Sequence, residues 1–464
     1  MTSAVARRRR AAREAALAQA VAQGLLGPEQ PLVGLLDVDG IRASVDALTA
    51  AFGDTPVLHT FAAKACALVP VLRLLADAGM GCEVASPGEL EQALAAGFAP
   101  ERLVLDSPAK TVEELRRALA HGIAVNIDNF QELARVDALV AEHLAAGPIG
   151  IRVNPQVGAG AIGAMSTATA TSKFGIALRD PGAVEAVVEA FARRPWLNRL
   201  HAHVGSQGCP LPLIAAGLRA TYELAEHINT VLGRRQITDL DIGGGLPVNF
   251  ADDEDDPTFA DHVAQLRAAV PELLDGSYRL VTEFGRSLLA KNGTIGSLVE
   301  YTKTAGGRRI AITHAGAQVA TRTVFMPQAW PLRVGAFDAH GRPKHTPHEI
   351  QDIAGPCCFA GDLTAVGRAL PLLEPGDVVA LYDTGAYYFS SHFAYNSLPR
   401  PAVYGYRAGP DTVHFATVRD AQTLREVVRE SGDAHTHALV DLVSTSPSEN
   451  PSDEDRPDPE EAAQ

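Results

Sequence analysis

Cysteine is scarce. The five present (Cys66, Cys82, Cys209, Cys357 and Cys358) are odd in number and lack zinc-ribbon spacing. That excludes a disulfide framework and points to a reducing compartment, the cytoplasm. No run of about twenty apolar residues occurs, so no membrane-spanning helix is expected. Basic residues are also in deficit, with 40 Lys+Arg against 55 Asp+Glu and a net charge of -15. A nucleic-acid partner would have to bind against that field, so none is expected. What the chain does have is length, with 464 residues of which 46% are hydrophobic. That is enough for two or three domains, or for one large barrel with a companion.

Between about Pro56 and Arg286, short aliphatic runs alternate with helical patterns. The runs are VLHTFAAK, MGCEVAS, RLVLDS, IAVNID, IGIRVNP, RLHAHVGS, DLDIGGG and RLVTEFG, eight in all. In the intervening TVEELRRALAHG, Val112, Leu115 and Leu119 fall on one helical face. Gly79, Gly97 and Gly122 are placed as left-handed helix caps. Eight strand–helix units predict a (β/α)8 barrel over 54–288, with a doubly wound sheet as the alternative. After Leu288, strand patterns such as IGSLVEYTK, RIAITHAG, VVALYDTGAY and PAVYGYR dominate. They predict a mostly antiparallel β domain over 289–430. The segment 31–53 holds one more strand and helix that would pair back onto that domain. Residues 1–30 form an Ala/Arg-rich extension. Its Arg7–Arg10 run would suit an export or transit signal, but the stretch that follows has no clean apolar core. An Ala-rich helix with a basic start is the plainer reading. Residues 431–464, rich in Ser, Pro and acid towards the end, are expected to be a disordered acidic tail.

Chemistry in a barrel gathers at the C-terminal strand ends. The first strand ends at Lys64, where burial would lower the amine's pKa and suit it to a Schiff base. The seventh ends in Gly243-Gly244-Gly245, whose N–H groups can close around an anion. The eighth ends in Glu283-Phe284-Gly285-Arg286, and barrels commonly hold a phosphate beside these two loops. The sixth presents His201 and His203 on one face. They lack an accompanying ligand cluster of suitable spacing, so no metal is expected, and a flat ligand stacked on His203 fits as well. Lysine, phosphate cradle, imidazole and an acid together suit pyridoxal phosphate. The glycines, Ser206 and Arg286 would hold its phosphate, and Glu283 its ring nitrogen.

At this point the motifs resemble the fold-type III pyridoxal-phosphate-dependent decarboxylases, the family of diaminopimelate, ornithine and arginine decarboxylases. The resemblance runs from about Leu35 to Tyr406. It rests on FAAKA, EVASPGEL, SKFGI, HVGSQ, DIGGGLP, EFGR, GPCCFAGD, GAY and Tyr395-Asn396, taken in order. It implies that Lys64 carries the cofactor, with Glu83 of the second-strand motif beside it. It implies that His203 stacks on the ring and Glu283 binds its nitrogen. Ser206, Gly243, Gly244, Gly245, Gly285, Arg286 and Tyr387 would then surround the cofactor. Cys358 would reach into the active site of a second copy, in a homodimer with shared sites, and return a proton to Cα together with Lys64. Cys357 is left as structural. Arg322, Phe359 and Asp362 are the expected substrate contacts, and the expected activity is decarboxylation of an α-amino acid.

Several positions depart from the family pattern. Phe359 stands where relatives carry an acid that pairs with the substrate's distal ammonium. Ala360 and Phe284 replace the usual serine and proline, and Met326 stands in for a companion tyrosine of Arg322. The expected substrate therefore lacks a distal ammonium. An apolar or aromatic side chain comes first, and one ending in a carboxylate second. A racemase on the same fold, or a non-catalytic regulator, are the alternatives.

Overall fold

All eight aliphatic runs are strands of one parallel sheet. A computed structural model of the chain describes residues 2–142, 147–163, 167–410 and 412–444. The first strand, β1 (Leu32–Asp37), lies outside the barrel. The barrel strands are β2 (Val57–Ala62), β3 (Gly81–Val84), β4 (Leu103–Leu105), β5 (Ala124–Ile127), β6 (Ile149–Asn154), β8 (Leu197–His201), β9 (Asp239–Asp241) and β10 (Arg279–Phe284). A two-residue β7 (Ile176–Ala177) hangs on β6. Neighbours run β5-β4-β3-β2-β10-β9-β8-β6, and β5 pairs with β6, so the sheet closes on itself. A doubly wound sheet would leave two edges open.

The connecting helices form for local reasons. The helix Val112–Ala120 starts at a capping box, in which Thr111 and Glu114 satisfy each other's backbone N–H groups. Leu115, Ala118 and Leu119 are buried, whereas Val112, expected on the same face, lies in the first turn and is exposed. Gly79, Gly97 and Gly122 adopt φ of +83°, +88° and +73°, which glycine reaches without the Cβ clash of other residues.

A second sheet holds β1 with β11 (Gly293–Ala305), β12 (Arg308–Thr313), β13 (Val334–Phe337), β14 (His348–Ala354), β15 (Leu363–Pro371), β16 (Val378–Tyr382), β17 (Ala402–Ala408) and β18 (Val413–Arg419). It is mostly antiparallel, but β1–β17 and β12–β14 run parallel. Residues 31–53 contribute β1 and the helix α2 (Val38–Phe52). The β-rich half also contains a helix, Ala317–Phe325, which strand patterning does not reveal and which carries Arg322. Residues 4–22 form a 19-residue helix, α1 (Ala4–Ala22), in which Arg9 and Arg13 are buried.

From Gln422 the chain forms a separate unit with helices Leu424–Glu430 and Ala438–Ser444 and a short turn at Asp433–His435. Of the expected acidic tail, residues 433–435 and 438–444 are thus helical, and 445–464 lie outside the described residues. No helix among the described residues is long and apolar enough to cross a membrane.

Candidate active site

Barrel interiors are ordinarily packed with Val, Ile and Leu. Here Glu83, Asn126, Arg152, His201, Asp241 and Glu283 are all buried. Such groups persist inside only when paired, and they are. Lys64 follows β2 in a short 3-10 turn, its Nζ 2.8 Å from Oε2 of Glu83. Burial works against its charge, but Glu83, Tyr387 and Glu283 outweigh burial and raise its pKa. This reverses the sequence expectation of a lowered amine pKa, because the partner carboxylate is invisible in a strand-end motif. Burial pushes Glu83 up in turn, with Glu283 and Asp106 adding like charge.

Glu283 is the hub. Its Oε2 lies 3.2 Å from Nδ1 of His203 and 3.4 Å from Nε2 of His201. Burial opposes its charge, yet His201 and His203 hold it well below the usual carboxyl range. His201 sits between Glu283 and Asp106, with Nδ1 3.6 Å from Oδ1 of Asp106. Burial alone would lower its pKa, but Glu283, Asp106 and Asp241 overcome that and push it up to about 9. Burial keeps His203 low despite Glu283, so its ring stays neutral. Arg152 Nη1 is 2.7 Å from Asp106 Oδ2 and completes the chain of charges. The donor atoms of His201, His203 and Glu283 lie within 4.8 Å of one another. Still, a protonated His201 is a poor metal ligand.

The glycine turn takes the backbone conformation that glycine favours, but the N–H of Gly243 donates to Oδ1 of Asp241 at 3.1 Å and that of Gly244 points at Nδ1 of His203 at 3.4 Å. Gly243 and Gly245 have φ of +63° and +89°. A Cβ on Gly244 would collide with the carbonyl oxygen of Glu283, and one on Gly243 would lie 2.8 Å from Nδ1 of His203. Arg286 is buried, with its guanidinium 4.4 Å from the ring centroids of Trp330 and Tyr387. No carboxylate pairs with it among the described residues. Burial depresses its pKa to about 10. Tyr387 holds φ of +67°, a conformation costly outside glycine and typical of functional sites.

One cleft of about 590 Å³ gathers Lys64, His203, Ser206, Gly245, Glu283, Gly285, Arg286, Arg322 and Tyr387. Gly243 lies beneath His203, Glu83 lies behind Lys64, and neither they nor Gly244 line the wall. An unpaired buried guanidinium beside a tight glycine turn fits a phosphate. A lysine across the cleft and a carboxylate held ionised fit the rest of pyridoxal phosphate. Sequence reasoning missed Asp106 and Arg152, although each is a charge inside an otherwise apolar strand run.

Three expected residues lie elsewhere. Cys358 is exposed, with its N–H donating to Oδ1 of Asn396 at 2.8 Å. Phe359 stacks on Phe325, ring centroids 5.5 Å apart. Neither lines the cleft of its own chain. Asp362 was expected to touch substrate, but it is buried and accepts the N–H groups of Ala317 and Cys357, both at 2.6 Å. It ties the start of the helix Ala317–Phe325 to the loop at Cys357.

Comparison with known proteins shows the family. Residues 38–290 match the family model for the pyridoxal-dependent decarboxylase, pyridoxal binding domain. The diaminopimelate decarboxylase of Pseudomonas fluorescens is 36% identical over 370 residues, covering 78% of this chain and 85% of that one. That of Methanothermobacter thermautotrophicus is 30% identical over 374 residues, covering 80% and 83%. Among solved structures, Helicobacter pylori diaminopimelate decarboxylase complexed with L-lysine superposes with a TM-score of 0.75 at 26% identity, covering 87% of this chain and 97% of that one. The chain is therefore a member of the pyridoxal-phosphate-dependent decarboxylases of fold-type III. Within that class it is an amino-acid decarboxylase that uses pyridoxal phosphate. The racemase and regulator alternatives gain no support.

Proposed function

We propose that the enzyme decarboxylates an α-amino acid whose side chain ends in a carboxylate bound by Arg322, and that it does not read a distal ammonium. One observation carries this reading. Nη1 of Arg322 is buried without a hydrogen-bond partner, in the wall of the cleft. Its guanidinium lies 4.3 Å from the Tyr387 ring centroid. A buried, unpartnered donor costs a few kcal/mol unless a ligand satisfies it, and a carboxylate is the matching shape. This moves the carboxylate-ended side chain ahead of the apolar one favoured from sequence. Indifference to a distal ammonium rests on Phe359, which would face the substrate tail only across the proposed dimer, since it does not line the cleft of its own chain. The names of the relatives pull the other way and make diaminopimelate the reference compound.

The working unit we propose is a cytoplasmic homodimer, with a barrel over 54–288 and a β domain that starts at 289, takes in 31–53 and ends before the separate unit at Gln422 rather than at 430. Cys358 is exposed beside exposed Phe325, Met326 and Phe393, an apolar surface suited to a second copy. All five cysteines are free.

When bound, pyridoxal phosphate supplies the electron sink that accepts the pair left behind as CO₂ departs. Lys64 is the attachment point, and Glu83 fixes its amine at the cleft floor. Gly245, Ser206, Arg286 and Tyr387, which line the cleft, would hold the phosphate, with Gly243 and Gly244 shaping the turn behind them. His203 covers the ring. Glu283, kept ionised by His201, would hold a proton on the ring nitrogen. Arg322 orients the substrate tail. Cys358 of the partner subunit, with Lys64, delivers the proton that replaces the lost carboxylate at Cα.

The test compares kcat/KM for meso-diaminopimelate, 2-aminopimelate, glutamate, lysine, ornithine, leucine and phenylalanine. Diaminopimelate and 2-aminopimelate differ only in the distal amine and should lie within about threefold of each other, since no charge is paired there. Arg322→Met should cost both at least about thirtyfold. Lysine or ornithine proving best by more than about tenfold would overturn the proposal.

A further inference from the structure

The geometry points to the arginine-rich helix α1 as a clasp that positions the cofactor's phosphate cradle, acting through Asp253. The inference rests on the assignment of that cradle to Gly243–Gly245, Arg286 and Tyr387. Helix α1 lies outside the family match, which begins at residue 38. A solvated basic helix would be the ordinary outcome of such a sequence, yet Arg9 and Arg13 are buried.

Arg13 grips Asp253 with both terminal nitrogens, at 3.0 and 3.3 Å. Arg10 Nε adds a contact to the same carboxylate at 3.3 Å, and Arg9 binds neighbouring Asp255 at 3.0 Å. The Asp253 side chain is 1% exposed. Its remaining partner is Arg333, whose Nη2 lies 2.8 Å away. Arg333 also clamps Asp383, with Nη2 3.0 Å from Oδ1 and Nε 3.2 Å from Oδ2. Lys291 joins from the other side, 3.4 Å from Oδ2 of Asp383, and donates to the carbonyl of Asp252 at 2.6 Å.

Sequence position gives this lattice its meaning. Asp252 and Asp253 lie within the loop that leaves Gly243–Gly245 and runs to the helix starting at Phe259. Lys291 lies one helical turn beyond Arg286. Asp383 opens the segment that reaches Tyr387. Each phosphate-holding segment is thus anchored, four to eight residues along the chain, in the same buried ion cluster, and α1 supplies its outer wall. Asp383 and Tyr387 both hold positive φ, +61° and +67°. Such backbone persists only where its surroundings over-determine it, and Arg333 and Lys291 do that at Asp383. Helix α1 also helps line a cavity of about 300 Å³ that shares Leu246 and Ser287 with the active-site cleft. Asp253 is held far below the usual carboxyl range, against burial, by Arg13 and Arg333, so the clasp stays charged.

The test titrates full-length chain, freed of cofactor, with pyridoxal phosphate and with pyridoxal, following visible absorbance. Arg13→Met and Asp253→Asn should weaken pyridoxal phosphate binding by about tenfold or more, while pyridoxal changes by less than about twofold. Arg13→Lys should lie between these and the parent. Should the buried variants not fold, Arg10→Met, at an exposed arginine, reads the same ratio with a smaller shift in the same direction. Unchanged affinity for pyridoxal phosphate, or equal losses for both compounds, would overturn the clasp. Arg286→Met serves as the separate control. If it leaves the phosphate preference intact, the cradle assignment itself fails; if it abolishes the preference while the clasp variants do not, only the clasp fails.

Discussion

Replacing His201 with glutamine should produce a stability loss with a distinctive pH dependence. His201 is fully buried between Glu283 and Asp106, with its pKa pushed up from 6.5 to about 9. That gap corresponds to roughly 3 kcal/mol of stabilisation of the folded state. The sign follows from linkage. A raised folded-state pKa contributes fully below the unfolded value of 6.5 and fades as pH rises through about 9. His201→Gln should therefore cost roughly 3 kcal/mol at about pH 6, roughly half of that near pH 8 and little above about pH 10. Denaturant unfolding of both proteins at those three pH values measures the difference, and titrating groups away from His201 cancel. A loss that stays constant across the range would refute the claim that His201 is a buried cation. Glutamine should also let the pKa of Glu283 rise, because the His201 cation that opposes its burial is gone.

Two further outcomes follow from the same geometry. Asp362→Ala should lower stability by roughly 2–4 kcal/mol, since two buried N–H groups lose their acceptor, and this is checked by the denaturation midpoint; a loss under about 0.5 kcal/mol would rule out the tie between the helix start and the Cys357 loop. Mixing inactive Lys64→Ala with inactive Cys358→Ala chains should restore part of the activity, because a mixed dimer holds one complete site; no recovery in exchanging dimers, or an active monomer in sedimentation, would sink the shared-site proposal.

The barrel was legible because its signal is local and periodic. The eight barrel strands each announce themselves as an aliphatic run, and the caps at Gly79, Gly97 and Gly122 punctuate the helices between them. Motif order sufficed for Lys64, Glu283, Arg286 and Tyr387, which share one cleft. What stayed hidden depends on pairing across long sequence distances. Arg13 and Asp253 are 240 residues apart, and nothing in either neighbourhood marks the other. The direction of the Lys64 shift was misjudged for the same reason, since a strand end shows the burial of the amine but not the carboxylate of Glu83 beside it. Asp362 was assigned to substrate by its motif, whereas its oxygens are spent on Ala317 and Cys357. The helix Ala317–Phe325 escaped notice because its start at Gly316 has no side-chain cap and its backbone kinks at Ala320.

The most direct test of the whole account is peptide mapping of the protein after reconstitution with pyridoxal phosphate and reduction with borohydride. Reduction turns a lysine–cofactor linkage into a stable secondary amine, so mass spectrometry can locate it. The account predicts the added mass on Lys64 alone, and none in a folded Lys64→Ala variant. Cofactor mapped to any other lysine, or no reducible adduct in a folded protein, would contradict it.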